Sequence, residues 1–521
     1  MVDRLPPGKV PWDLVADLVA GELPPEVRLG PAAGEDAALV EIGGEVWAVA
    51  SDPVSFTSAD AGRLAVIVNA NDVAVRGARP RFFLAVALVA PNEASPERVR
   101  ELLTQVRDTC ALVGATLIGG HTEVTPGLPH SIVVGTMIGR VEGDAFTTGG
   151  LRDGDLVGMT RWAGLEGTAI LLGEFGDRLR ALHGDAALVL PADARDWLLV
   201  APDALRAAAC RGVSALHDVT EGGVGEALYE MAVASGLEIE ARREDIPLLP
   251  QTVTICSDLG VDPLGLIGSG ALLVGCDEAG CAEVEAVMAA AGTPFTWIGR
   301  ALASAYPTAA TLPRFPQDEL LKAGSMEGIG AVVFDMDGTL VDSDYDWSEI
   351  RRRLGVSGPS IIDALNNLSG PERGARWAEL EAIEAAATAE ARLHPGALEL
   401  LDLLSEHGIK TALVTNNNNL NTTSLLERFG LRFEVVITRD SGLWKPSGAP
   451  VAEAARRLRM PAERCLAVGD SHYDILAARE AGFARVCVLH DGDGRHDGET
   501  DLSFKDIPAF VGYLRIVLPS Q

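Results

Sequence analysis

Three short apolar runs constrain the fold of this chain more than any other feature. "GAVVFD" (330–335), "KTALVTN" (410–416) and "RCLAVGD" (464–470) are each rich in β-branched residues and end on a polar residue, and helical patterns such as "NTTSLLERFG" and "APVAEAARRLRM" lie between them. Strands alternating with helices form a parallel sheet wound with helices, and ligands bind beyond the carboxyl ends of its strands. Asp335, Thr415 and Asp470 are therefore expected at one sheet edge. Lys445, in "GLWKPSGAP", reaches the same edge from a following loop.

These residue types suit phosphoryl transfer. A carboxylate at Asp335 can attack phosphorus and split one hard hydrolysis into two displacements through an aspartyl-phosphate. Asp337 can protonate the leaving oxygen and later activate water. Nucleophile and phosphate are both anionic, so their approach needs positive charge, from Lys445 and from Mg2+ on Asp335, Asp470 and Asp474. Asp337 completes the candidate metal set, and Thr415 is placed to hydrogen-bond a phosphoryl oxygen.

The motif "AVVFDMDGTLVDS" begins only at residue 331 of 521, and about 150 residues per domain gives roughly three compact units. The formal net charge of -31 repels nucleic-acid phosphates and anionic lipid, which leaves small phosphorylated metabolites as partners and excludes nucleic acid and membrane. The seven cysteines are never spaced Cys-x-x-Cys, which fits a reducing cytoplasm rather than a disulfide framework. No apolar run approaches bilayer-spanning length, and "MVDRLPPGKVPWDL" has no signal-like apolar core, so a soluble, unexported protein is expected.

"DMDGTLVDS", "LVTNNN", "KPSGAP" and "GDSHYD" resemble, in order, the four motifs of the haloacid dehalogenase-like phosphatases. The resemblance runs from about Gly328 to Leu518 and implies a doubly wound, Rossmann-like core over 329–521. It also implies a small helical cap at about 344–394, as in the phosphoglycolate phosphatase branch. Asp337 implies phosphate-ester rather than carbon–halogen chemistry, since true dehalogenases lack the second aspartate. Arg351, Arg352 and Arg353, with Arg373 and Arg376, read first as a solvated helical face and second as substrate contacts.

The first part of the chain carries separate signals. "GPAAGEDAALVEIGGEVWAVASDPVSF" reads as turn, strand, Gly-Gly turn and strand, with Asp36 and Asp52 in acidic loops. A helix carrying Asn71 and Asp72 follows, then "LIGGHTEVTPG" with His121, which reads equally as a site residue or a hydrogen-bonded loop histidine. In "ALHDVTEGGVGEALYEMA" a Gly-rich turn feeds a helix; its glycines let backbone amides approach an anion, while Asp218 and Glu221 offer oxygen ligands.

Together "GEDAA", "NDVAVRGARP", "GGHTEVTPG" and "HDVTEGGV" resemble the ATP-binding family of aminoimidazole ribonucleotide synthetase, the hydrogenase maturation dehydratase, thiamine monophosphate kinase and selenophosphate synthetase. This implies a PurM-like unit with a strand-rich, dimerising subdomain over 1–150 and a second over 151–323, joined to the phosphatase by a linker at 324–328. The chain is thus expected to be an α/β and α+β multidomain homodimer. Asp36, Asp72 and Asp218 fall on the acidic positions that bind the metal–ATP complex in that family, with Asp52 beside them. Two departures stand out. "LPPGKVPW" lacks the reactive Cys–Lys pair of selenophosphate synthetases, and "RFPQDELLKAGSMEGIG" lacks the cysteine that accepts a carbamoyl group in the dehydratase. Two readings of the first unit stay open: an ATP-dependent synthetase or kinase, and a dimerising or nucleotide-sensing scaffold.

Overall fold

The computed structural model describes residues 8–10, 12–19, 21–55, 60–304, 310–323, 326, 328–358, 360–490, 496 and 499–518. Residues 324, 325 and 327 of the expected linker lie outside the described residues. The chain divides into two compact units, one formed by Met1–Cys256 and Asp262–Leu321 and the other built on Lys322–Gln521.

The first unit contains two sheets. The strands of the first are ordered Val27–Leu29, Ala37–Ile42, Glu45–Ala50, Ile132–Val141, Ala78–Val89 and Thr116–Val124, with Pro53–Val54 also on Ile132–Val141. Only the last pair is parallel. Burial alternates residue by residue along Ile132–Val141, as a sheet with one covered face requires. Helix Ala61–Ala74 packs against that strand and is buried nearly all round, so its polar residues Asn69, Asn71 and Asp72 are interior groups. The second sheet is antiparallel, in the order Glu238–Ala241, Phe295–Leu302, Leu156–Thr160, Leu272–Cys276 and Val213–Asp218. One apolar core runs from Ala37 through Phe83 and Leu216 to Met288, so the two sheets share an interior across residue 150.

"LIGGHTEV" is not a loop but most of the edge strand Thr116–Val124. Pairing with Phe82–Val89 outweighs the turn tendency of Gly119-Gly120. The approach is close enough that a Cβ on Gly120 would lie 1.8 Å from the Ala85 carbonyl oxygen, and φ there is +146°. All nine residues of the strand are exposed, including Leu117, Ile118 and Val124.

The second unit holds a six-stranded parallel sheet ordered Val435–Ile437, Lys410–Val414, Ala331–Phe334, Cys465–Gly469, Arg485–Leu489 and Leu502–Phe504. Ala331–Phe334 lies inside the sheet and is wholly buried, which explains its unbroken apolar sequence. Helices Trp347–Leu354, Ile361–Asn366 and Gly370–Glu390 form a small layer with their own core of Ile350, Leu354, Leu365 and Leu380. The two-stranded pair Val341–Asp342 and Arg392–Leu393 closes the base of that layer. All seven cysteines are free. Among the described residues, no helix is long and apolar enough to cross a membrane.

Phe83 is fully buried in the shared core of the first unit. Phe83→Ala is expected to cost about 3–5 kcal/mol of stability, measured by urea-induced unfolding; a loss below about 1 kcal/mol would contradict this packing.

Candidate functional site

In the second unit the strand ends bring the expected side chains together. The Asp335 amide donates to the Val468 carbonyl at 2.9 Å, and that of Thr415 to Ile437 at 3.0 Å, so each continues sheet pairing one residue past its strand. Lys445 Nζ lies 2.6 Å from Asp335 and 2.5 Å from Asp474. Its loop is fixed by Asn416, whose Oδ1 accepts from the Lys445 amide at 2.8 Å and whose Nδ2 donates to the Lys445 carbonyl at 2.9 Å. Asp474 Oδ2 accepts from the Ser471 amide and hydroxyl, capping helix His472–Glu480. Asp470 accepts from Thr339 Oγ1 at 3.1 Å. Gly338, at φ +88°, passes so near that a Cβ there would sit 2.3 Å from Asp470 Oδ2.

Carboxylate oxygens of Asp335, Asp470 and Asp474 lie within 4.8 Å of one another. Three acids against one ammonium leave an excess of negative charge in a largely buried place, and all the donors are hard oxygens, so the set fits a divalent cation such as Mg2+. Asp337 stands outside that triad: Oδ1 accepts from Ser343 Oγ at 2.6 Å, and Oδ2 from Asn417 Nδ2 at 3.2 Å and Thr415 Oγ1 at 3.4 Å. Burial, reinforced by Asp474, pushes the Asp470 carboxyl up to about 7. Burial likewise lifts Asp335 well above the usual carboxylate range, with Lys445 pulling back. Burial opposes the Lys445 charge, but Asp335 and Asp474 outweigh it and hold the ammonium above its ordinary value.

A cavity of about 350 Å³ lies over these groups, covered by the three-helix layer. Glu384, from helix Gly370–Glu390, forms a two-pronged buried ion pair with Arg439, which follows strand Val435–Ile437. Of the arginine run, only Arg351 lines the cavity, where Nη2 donates to Tyr473 Oη at 3.3 Å. Arg352 pairs with Glu349, and Arg353 and Arg376 share Glu379, while Arg373 donates to Asn366; none of these four lines the cavity. Nothing in sequence spacing signals a Glu384–Arg439 contact.

In the first unit Asp36, His217 and Asp218 bring ligating atoms within 4.8 Å. Asp72 joins them electrostatically: its carboxyl is raised by burial and then by Asp218, and it hydrogen-bonds Asp52. Burial first, eased by His217, places the Asp218 carboxyl at about 6. Asp36 Oδ2, Asp72 Oδ2 and Asp218 Oδ1 are buried without a hydrogen-bond partner, and orphan carboxylate oxygens of Asp36 and Asp218, in one ligating group, fit a hard cation. Asn69 sets Asp52 by accepting from its amide at 3.0 Å and donating to its carbonyl at 3.2 Å. His217, the residue before Asp218 in "HDVTEGG", lies between Thr148 and Glu230. Lys9 reaches Glu230 at 3.2 Å and Asp36 at 3.6 Å.

Other expected residues are placed differently. Asn71 is committed to structure: Oδ1 accepts from the Val200 and Ala201 amides and Nδ2 donates to the Leu198 carbonyl, which leaves little for a nucleotide. His121 stands on the exposed edge strand paired with Glu123 at 3.1 Å, outside the acidic cluster. Glu221 accepts from the Lys9 amide and is also outside the ligating triad. The expected anion cradle of "EGGVG" is largely spent, because the Gly222, Gly223 and Gly225 amides donate to Asp318, Thr220 and Leu264. The positive φ values that open a glycine turn also let neighbouring chain close on it.

Family models match residues 34–141 and 152–310 as the N- and C-terminal domains of AIR synthase related proteins, and 329–482 as a haloacid dehalogenase-like hydrolase. The carbamoyl dehydratase HypE of Rhodobacter capsulatus is 31% identical over 306 residues, covering 57% of this chain and 87% of that protein. The phosphoglycolate phosphatase of Agrobacterium fabrum is 31% identical over 183 residues, 30% of this chain and 78% of that enzyme. A solved structure of Escherichia coli HypE overlaps 58% of this chain and 95% of its own, at 24% identity and a TM-score of 0.45.

Asn71→Ala strips the acceptor from two buried amides. It is expected to cost about 1–3 kcal/mol for each unsatisfied donor, read by chemical denaturation; unchanged stability would return Asn71 to the list of ligand contacts.

Proposed function

We propose, from a chain that belongs over residues 34–141 and 152–310 to the AIR synthase related proteins and over 329–482 to the haloacid dehalogenase-like hydrolases, that it joins a Mg2+-dependent phosphomonoesterase to an ATP-binding unit. The observation that carries the first half is Lys445 held between Asp335 and Asp474 under a covered cavity. An Asp335 oxygen attacks phosphorus, the bond to the substrate alcohol breaks, and Asp337 gives its proton to the departing oxygen. Asp337 then takes a proton from water, whose oxygen attacks the same phosphorus and frees Asp335 and phosphate. Lys445 and Thr415 orient the phosphoryl oxygens. Asp335, Asp470 and Asp474 would hold a divalent ion, which would supply positive charge against which these anions approach.

The orphan oxygens of Asp36, Asp72 and Asp218 support Mg–ATP binding in the first unit, whether for a synthetase or a kinase step. The carbamoyl chemistry named for the HypE relative is not proposed, because no cysteine lies between residues 313 and 330. A dimerising role is favoured by a separate observation, the fully exposed edge strand Thr116–Val124, which offers unpaired backbone groups and Leu117, Ile118 and Val124 to a second copy. Dimerisation and ATP binding are compatible.

Asp335→Asn removes the nucleophile without changing volume and is expected to lower phosphate release from small phosphomonoesters at least about a thousandfold, or ~4 kcal/mol in barrier. Retention of more than a tenth of the rate would reject the assignment. Calorimetry of the full chain with Mg–ATP is expected to show binding that weakens at least about tenfold in Asp36→Asn or Asp218→Asn. No heat from the unmutated chain would leave the first unit a scaffold.

A further inference from the structure

The cavity over Asp335 has two unlike ends. One holds the reacting groups Asp335, Asp337, Thr415, Lys445 and Asp470; the other brings the apolar and aromatic side chains Tyr345, Trp347, Ile361, Ile362, Leu380 and Tyr473 together with polar groups that include Ser360, Arg351 and the Glu384–Arg439 pair. Tyr345 and Trp347 form a ring pair with centroids 4.6 Å apart and planes 31° from parallel. A flat apolar body is what such a lining takes, since aromatic faces prefer offset or tilted ring partners. The volume of about 350 Å³ falls in the range of about 300–1,000 Å³ that buries ligands of drug-like size, and a two-carbon phosphoester fills little of it.

Two of the charged groups in this half, Arg439 and Glu384, are spent on each other. Arg439 is held by both oxygens of Glu384, with its guanidinium carbon 5.2 Å from the Trp377 ring centroid. Arg351 donates to the Tyr473 hydroxyl and to the Trp347 carbonyl, both neutral acceptors. Receiving a substrate carboxylate at Arg439 means breaking the Glu384–Arg439 pair and leaving a buried Glu384 without its partner. An uncharged ring requires no such exchange.

We propose that the phosphatase site is built for a monoester whose alcohol carries a planar, uncharged aromatic or heteroaromatic body, rather than for a short phosphorylated carboxylic acid. This inference rests on the phosphatase reading of Asp335. It identifies Tyr345 and Trp347 as specificity residues that contact the substrate body, while the reaction at phosphorus stays with the strand-end groups.

The test compares benzyl phosphate with 2-phosphoglycolate, both esters of primary alcohols, on the full chain with Mg2+ present. A ring contact of this kind is worth roughly twofold to tenfold in binding, and two are available. The expected kcat/KM is therefore at least about tenfold higher for benzyl phosphate, with the difference mainly in KM. Trp347→Ala is expected to reduce the benzyl-to-glycolate ratio of kcat/KM at least about fivefold. Because the ratio is taken within one preparation, a smaller folded fraction does not affect it. Preference for 2-phosphoglycolate, or an equal fall of both substrates in Trp347→Ala, would overturn the inference while leaving the phosphatase reading in place. No phosphate release from either ester or from acetyl phosphate would overturn both.

Discussion

The second unit depends on one ammonium group. Asp335, Asp470 and Asp474 are brought to the same sheet edge by strand order and by a helix start, and taking carboxylates out of water costs several kcal/mol each. Lys445, about 6% exposed, lies between two of them and offsets part of that cost. The negative charge that remains suits the proposed divalent ion and a phosphoryl group that arrives with one. The same electrostatics shape the loops: Asn416 fixes the lysine backbone, and Ser471 holds Asp474 as a helix cap. One member of the acidic triad thus also belongs to the capping box of helix His472–Glu480, which ties the stability of the helix to the geometry of the site.

The first unit solves a similar problem with different groups. Its acids sit on a buried helix, two loops and a strand end, with His217, Glu230 and Lys9 around them rather than one central lysine. Burial opposes the charge of Glu230, yet His217 and Lys9 bring its carboxyl down to about 2. Asp52 and Asp72 hydrogen-bond one another, and three other carboxylate oxygens remain without partners. Such unspent hydrogen-bonding capacity is costly in a protein interior and is characteristic of ligand sites.

Much of the phosphatase edge was legible because a buried parallel strand leaves a strong trace, a short β-branched run ending where the chain meets the site. Asp335, Thr415 and Asp470 followed from that pattern alone, and Lys445 from the loop after it. The cavity wall was not legible, because Glu384 and Arg439 meet through tertiary folding with no fixed spacing. In the first unit Asp36, Asp72 and Asp218 were found as members of ordered motifs. Asn71 is not separable in sequence, because an amide that holds a loop and an amide that holds a nucleotide look alike. The strand around His121 is hidden in the sequence because a Gly-Gly pair reads as a turn, while here it allows two strands to come close. His217 stands beside Asp218 in "HDVTEGG", but neighbours on a strand point to opposite faces, so strand spacing alone does not place both near Asp36.

The helical layer over the cavity enters and leaves the core through Val341–Asp342 and Arg392–Leu393, which are hydrogen-bonded to each other. To the parallel sheet, everything between them is an excursion that departs and returns at one point. The entropy of closing such an excursion grows only with the logarithm of its length, so inserts of quite different size are nearly equivalent to the sheet beneath. Roof and strand ends are therefore separable units of inheritance in this domain: the roof can be exchanged as one cassette while the strand ends that carry Asp335, Thr415 and Asp470 keep their positions.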